Sequence, residues 1–372
     1  MLFREIIGQE SIKRKLIKVV NGGRIPHAQM FVGPEGCGNF AMALAFFQYL
    51  SCAHRTETDS CGTCPSCRKH KHVQFADMHF SFPIFSKKQG GSICLEFLEE
   101  WRRAVQNSPY LDAAAWRGYM SSDNKQLNIP VKEAADISHK LSLTSYEGGY
   151  KMLIMWLPEY MRPVTANKLL KLIEEPPDNT LIIMVANSTE NMLSTILSRV
   201  QKIKFSRLTD DEVRNGLVTH AGVASPSKVE SITRLANGNY WKALQMIQAD
   251  AGEHFHAFVG LMRMAYKFDM TGLVNWANER NDQGRETAKQ FLEYALHMVR
   301  QCILGNYTAG QLARLSEDEK GFADNFSSFI NDRNVVEITT ALEEAYYDIS
   351  RNINGKLVMF DLSIQMARAI HR

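Results

Sequence analysis

The sequence predicts a parallel α/β domain followed by a small helical domain and a C-terminal all-helical domain. Three observations carry that prediction. Over the first two hundred residues short apolar runs alternate with helical patterns, the signature of a parallel sheet flanked by helices. After Phe205 the apolar runs stop, and Asp210 to about Asp250 is short and helical, with the turn Asn237-Gly238-Asn239 near its middle. From about Glu253 to the end only helix periodicity remains. The expected boundaries are 1–206, 207–252 and 253–372. A chain of 372 residues exceeds the size at which one hydrophobic core stops growing, which agrees with several domains.

Taken in order, Ala28–Val32, Met152–Trp156 and Leu181–Val185 are apolar runs bounded by turn residues or helical segments, and read as strands buried on both faces. Val200–Phe205 alternates apolar and polar residues, as a half-buried strand should. In the C-terminal part, Phe255, Phe258, Met262 and Ala265 share one helix face, and so do Phe291, Ala295, Met298 and Cys302. These stripes read as core. Residues 83–128 fit no element of the alternation. They hold Lys87-Lys88-Gln89-Gly90-Gly91, a helical stretch around Phe97-Leu98-Trp101 and a polar run from Ser121 to Gln126, and read as an insertion packed on the domain surface.

Composition narrows the class. With 45% hydrophobic and 22% charged residues the chain has the make-up of an ordinary soluble protein. It lacks the roughly 18 consecutive apolar residues of a membrane helix. Its start, Met1-Leu2-Phe3-Arg4-Glu5, lacks the apolar core of a secretory signal, so a cytoplasmic location is expected. A net charge of +3 does not by itself argue for nucleic acid, and the one basic cluster, Arg68–His72, reads as a solvated face.

Directly after the first strand comes Gly33-Pro34-Glu35-Gly36-Cys37-Gly38-Asn39-Phe40, followed by a helical run from Ala41 to Leu50. The glycine spacing is that of a phosphate-binding Walker A loop in its strand–loop–helix setting. In such a loop backbone N–H groups cradle the phosphates, a lysine reaches the β- and γ-phosphates, and a hydroxyl holds Mg²⁺. Here Asn39 stands at the lysine position and Phe40 at the hydroxyl position. Gly33, Gly36, Gly38, Asn39 and Phe40 therefore form a degenerate nucleotide site, with ATP hydrolysis not expected and binding doubtful.

Cys52, Cys61, Cys64 and Cys67 give C-x₈-C-x₂-C-x₂-C, and Gly62 and Pro65 supply the turns that such close spacing needs. Four thiolates suit tetrahedral Zn²⁺ in a closed, structural site, so one zinc per chain is expected, with a disulfide pair as the alternative. His54, His70 and His72 lie nearby as outside candidates for a ligand. Cys37, Cys94 and Cys302 read as small core residues.

The run Asn167-Lys168-Leu169-Leu170-Lys171-Leu172-Ile173-Glu174-Glu175-Pro176-Pro177, followed by Ser198-Arg199-Val200, resembles the clamp-loader branch of the AAA+ ATPases, with its N-A-L-L-K-x-L-E-E-P-P stretch and S-R-C motif. Ile7-Gly8-Gln9-Glu10, His27-Ala28-Gln29-Met30 and the close Asn354-Gly355-Lys356-Leu357-Val358 are similar to other boxes of that family. The resemblance covers nearly the whole chain except the insertion. It implies a RecA-like domain with a zinc module (52–67), a lid domain and a collar domain.

Other family positions have also lost their chemistry. The metal-binding acids map to Trp156 and Leu157, with Glu159 two places late, and the sensor-2 arginine maps to Trp241, beside Lys242. Four independent losses resemble the family's delta-prime type, the subunit that does not hydrolyse ATP. The arginine of Ser198-Arg199 is, by that resemblance, a finger offered to a neighbour's ATP site. The implied role is to help load a sliding clamp onto primer-template DNA within the DNA polymerase III holoenzyme. The implied partners are gamma/tau-like motor and delta-like subunits in a hetero-oligomer. Two other readings stand beside it: an ATP-hydrolysing gamma/tau-like motor, which needs the lysine that Asn39 replaces, and a zinc-dependent nucleic-acid binder resting on Arg68–His72.

Overall fold

The computed structural model describes residues 1–85, 92–120, 126–248, 251–308, 315, 317–351 and 353–371. The run Lys87–Gly91 and residues 121–125 of the polar run lie outside the described residues. The chain divides into two compact units, one of residues 1–222 and 236–244, the other of residues 223–235 and 245–372. Residues 207–252, read from sequence as one small helical domain, are thus shared out between the two.

The first unit is built on a five-stranded sheet: β1 (Ala28–Val32), β2 (Met78–Ser81), β3 (Lys151–Trp156), β4 (Thr180–Ala186) and β5 (Gln201–Lys204), in the order β2-β3-β4-β1-β5. All pairs are parallel, with Met30 opposite Met184 and Lys202, Met152 opposite Leu181, and Met78 opposite Met152. β3 and β4 are buried throughout and β1 at all but its last residue, which is why they read as unbroken apolar runs. β5 lies at an edge and buries only Ile203, its lysines facing water and blunting the edge. β2, at the other edge, has only the four residues Met-His-Phe-Ser and gave no readable sequence signal.

The helix Asn39–Ser51 follows β1 and is apolar nearly all round, because it is buried on almost every side. Pro163 starts the helix Pro163–Glu174, where its missing N–H costs nothing. That helix lays Ala166, Leu169 and Ile173 against Ile137, Leu141, Leu153, Ile182 and Met184. The segment expected as a surface insertion instead sends side chains into the core. Trp101, Trp116 and Phe97 are fully buried, on or beside the helices Leu98–Asn107 and Ala113–Tyr119.

The second unit is helical, with long helices Ala251–Lys267, Met270–Asp282, Arg285–Thr308, Val335–Ser350 and Gly355–Ile370. Phe258, Met262, Ala265, Phe291, Ala295, Met298 and Cys302 sit in its core, so both predicted stripes face inward, with Phe255 packed alongside. Asn354 caps the last helix by accepting the N–H groups of Lys356 and Leu357. Among the described residues no helix is long and apolar enough to cross a membrane.

Candidate functional site

The glycine loop leaves the C-terminal end of β1, the end at which open parallel sheets bind their ligands. Gly36 and Gly38 adopt φ of +71° and +87°, where side chains are disfavoured. The loop is tied down by its own protein. Gly33 N–H donates to Ala186 O at 3.2 Å and Cys37 N–H to Pro34 O at 3.3 Å. Asn39 is folded inward: its Nδ2 donates to Ala186 O at 3.2 Å, and its Oδ1 accepts the Phe40 N–H at 2.9 Å. The asparagine therefore occupies a helix N-terminal donor of the kind that would otherwise face an anion.

The positions that the motif reading aligns with magnesium-binding groups hold rings. Phe40 is 2% exposed, and its ring lies 6.3 Å from Trp156 and 5.6 Å from Trp101. Trp101 in turn meets Trp156 and Trp116, each at 5.1 Å, and stacks on Phe82 at 4.2 Å. Trp116 Nε1 donates to Pro83 O at 2.7 Å. Glu159 lies off this cluster. Its Oε1 accepts the Asn187 N–H at 3.0 Å, and burial, reinforced by the charge of Glu35, pushes its carboxyl up to about 7.

The mouth of the loop is closed by three more groups. Tyr110 accepts the Ile7 N–H at 2.9 Å on its hydroxyl and packs its ring 5.0 Å from Tyr240. Tyr240 N–H donates to Gly36 O at 3.2 Å, and its hydroxyl donates to Gly216 O at 2.9 Å. Asn239, capping the helix that begins at Tyr240, presses on Gly36 so closely that a Cβ there would come within 1.9 Å of its Oδ1. The cavity left among Glu35, Gly36, Asn39, Phe40, Tyr110 and Trp156 measures about 10 Å³, at the limit of room for a single water. Trp241, at the sensor-2 position, is half-buried.

Cys52, Cys61, Cys64 and Cys67 converge, their sulfurs all within 4.8 Å of one another. The Cys52–Cys61, Cys52–Cys64 and Cys61–Cys67 separations are 3.6, 4.0 and 3.9 Å. A tetrahedron of thiolates at Zn–S lengths has edges of about 3.8 Å, so the donor set fits zinc, and no pair is bonded as a disulfide. Backbone N–H groups of Cys61 and Cys64 point at Cys52 Sγ and Cys61 Sγ, at 3.4 and 3.3 Å, as donors do toward thiolate ligands. Hydrogen bonds from Thr63 and Cys64 hold the Cys61 thiol down to about 5.

None of the three nearby histidines joins this cluster. His70 bonds Ser51 Oγ at 2.7 Å and stacks on Phe75, while His54 and His72 are exposed. Within the same module Asp59 accepts the N–H groups of Phe3 and Arg4 at 3.0 and 3.1 Å, which fastens the N-terminal segment. In the basic cluster, Arg68 donates to Thr63 O at 2.8 Å and Lys69 pairs with Glu147 at 2.6 Å. The solvated-face reading fits Arg68, Lys71 and His72, which are exposed, but not His70, which is buried against Phe75.

Arg199 stands two residues before β5 and is exposed, as is Ser198. Its Nε is paired with Glu174, and its Nη1 donates to Thr195 O at 2.9 Å. Because β5 runs parallel to β1, with Gln201 opposite Gln29, Arg199 lies toward the end of the sheet opposite the glycine loop. Strand rise puts that separation at roughly 15–20 Å.

Several site residues gave no sequence signal. Tyr110 and Trp116 lie outside the helical stretch read around Trp101, and Asp59 and Glu174 act through partners distant in sequence. Asn187 carries no signal beyond its place directly after a strand.

A family model described as DNA polymerase III, delta subunit, matches residues 8–209. The chain is 27% identical over 212 residues to the DNA polymerase III subunit gamma/tau of Mycobacterium tuberculosis, covering 57% of this chain and 30% of that one. It is 24% identical over 249 residues to the subunit tau of Bacillus subtilis, covering 66% and 37%. With the subunit delta' of Yersinia pestis it shares 26% identity over 199 residues, 53% of this chain and 44% of that one. The chain thus spans less than half the length of these relatives. Among solved structures, a DNA polymerase III gamma subunit-related protein from Thermotoga maritima aligns at 11% identity and a TM-score of 0.42, covering 96% of this chain and 99% of that one. The family model takes in more than half of the chain, and on that ground the chain belongs to the DNA polymerase III delta-subunit family of clamp-loader subunits.

Proposed function

We propose that this chain is a delta-prime-like, non-hydrolysing clamp-loader subunit that supplies Arg199 to the ATP site of a neighbouring subunit. The observation that carries the reading is the filled loop. Asn39 bonds inward to Ala186, and Phe40 and Trp156 pack together where a hydroxyl and metal-binding acids would stand. A triphosphate with magnesium needs positive charge, free N–H donors and space; this mouth offers a cavity of about 10 Å³. Arg199 supports the second half of the reading. It is exposed and on the far side of the sheet from its own loop, so its charge cannot serve a nucleotide there.

On this reading the partners are gamma/tau-like motor and delta-like subunits in a hetero-oligomer, which acts on a sliding clamp and primer-template DNA as part of the DNA polymerase III holoenzyme. The guanidinium supplies a fixed positive charge and a planar fork of donors to the γ-phosphoryl group of the neighbour's ATP. The four cysteines hold one structural zinc per chain, which leaves no open position for catalysis.

The test is the ATPase of the complex reconstituted with its motor subunit. Arg199→Ala should lower DNA-stimulated turnover roughly 10³-fold or more while leaving the isolated chain folded; unchanged turnover would refute the role. The runner-up is an ATP-hydrolysing motor, favoured by relatives named gamma/tau. It predicts magnesium-dependent ATPase from the isolated chain, where the present reading predicts none above background.

A further inference from the structure

Glu174 is the last residue of the helix Pro163–Glu174, where the helix dipole is negative and a carboxylate is disfavoured. A glutamate there is out of place for helix stability, and its side chain is 46% exposed, so its ion pair with Arg199 adds little stability in return. What the pair does is geometric. Glu174 Oε1 takes the Arg199 Nε–H, while Nη1 is held by Thr195 O at 2.9 Å and, more loosely, by Ser198 Oγ at 3.4 Å. Two of the three guanidinium nitrogens are therefore anchored to their own chain. Nη2 has no hydrogen bond to a described residue.

We propose that Glu174 is a positioning residue for Arg199, locking a long side chain in the one orientation that turns its Nη2 edge away from the chain and toward the phosphates of a neighbouring ATP. This rests on the reading of Arg199 as a residue supplied to that site. An unanchored arginine carries the rotamer entropy of a long, flexible side chain, which must be lost each time the neighbour's transition state is met. With Nε and Nη1 held beforehand, most of that ordering is already done, which is the general source of catalytic gain from orientation.

The experiment is a double-mutant cycle in the reconstituted complex, reading kcat and KM for ATP, with the unfolding temperature of each isolated variant as a control. Glu174→Gln should lower kcat roughly 5- to 50-fold with KM nearly unchanged, because the loss falls on an interaction made in the transition state. In an Arg199→Ala background the same change should cost nothing further. Three outcomes overturn the proposal while Arg199→Ala still slows turnover: Glu174→Gln leaves kcat unchanged, raises it, or lowers it equally in both backgrounds, the last marking a merely structural role. If Arg199→Ala itself has no effect, the reading of the arginine fails and the proposal with it.

Discussion

The glycine loop and the Arg199 edge lie at opposite ends of one sheet and have opposite characters. At the loop, rings fill the space where charge and metal belong, and each polar group described there is bonded inward. At the other end a guanidinium is exposed, anchored on one side and open on the other. Phe40, Trp156, Trp101 and Tyr110 make the loop a packed part of the core. The arginine edge, with little packing to hold it, retains the residues of the Ser198-Arg199 motif.

Four changes probe this contrast beyond the arginine itself. The largest effect should come from stripping the zinc that, on the proposed reading, the four cysteines hold. The four-cysteine module holds Asp59, and Asp59 holds the backbone of Phe3 and Arg4, in the segment that leads to Ile7 over the loop. Chelation should therefore cost on the order of several kcal/mol and speed amide exchange at Phe3–Ile7, read by calorimetry and hydrogen exchange. A preparation with well under one zinc per chain and unchanged stability would break the link.

Rebuilding the Walker residues as Asn39→Lys with Phe40→Thr should destabilise the chain by about 3–5 kcal/mol, since a fully packed ring is removed. It should still give no ATP binding by calorimetry, because Trp156 and Tyr110 continue to fill the mouth.

Glu159 gives a smaller, pH-dependent effect. Its carboxyl is raised to about 7 in the folded chain, above the usual carboxylate range. The folded state thus binds the proton more tightly than the unfolded one. That stabilisation is complete below about pH 4.5 and is lost as pH rises through 7. Glu159→Gln should flatten the decline, worth on the order of 3 kcal/mol, in denaturation curves taken from pH 5 to 8. The smallest effect is that of Tyr110→Phe, which removes the acceptor for the Ile7 N–H and should cost about 1–2 kcal/mol by urea unfolding.

Much of this was legible in the sequence. The runs Ala28–Val32, Met152–Trp156 and Leu181–Val185 announced themselves because strands buried on both faces must be apolar throughout. The cysteine spacing marked a cluster whose sulfurs the structure brings within 4.8 Å of one another. The lost lysine and hydroxyl could be read from Asn39 and Phe40. What replaced them could not, because cavity filling depends on residues far away in the chain. Trp101 lies on a stretch that reads as helical, but neither it nor Tyr110 carries a local sign of its partner, because both rings reach the loop only after the chain has folded back on itself. Glu174 was visible as part of a motif, but its pairing with Arg199 spans 25 positions and follows from no local rule.

The ring cluster at the loop also has an optical consequence. Three of the chain's five tryptophans, Trp101, Trp116 and Trp156, form a chain of contacts with centroids 5.1 Å apart. Indoles that close couple their electronic transitions, which gives near-ultraviolet circular dichroism bands and passes excitation from ring to ring. The signal belongs to the loop, because Trp156 touches Phe40. Any ligand, substitution or partner that prises the loop open must part these rings. The protein therefore carries, without a label, a spectroscopic gauge of whether its glycine loop stays shut.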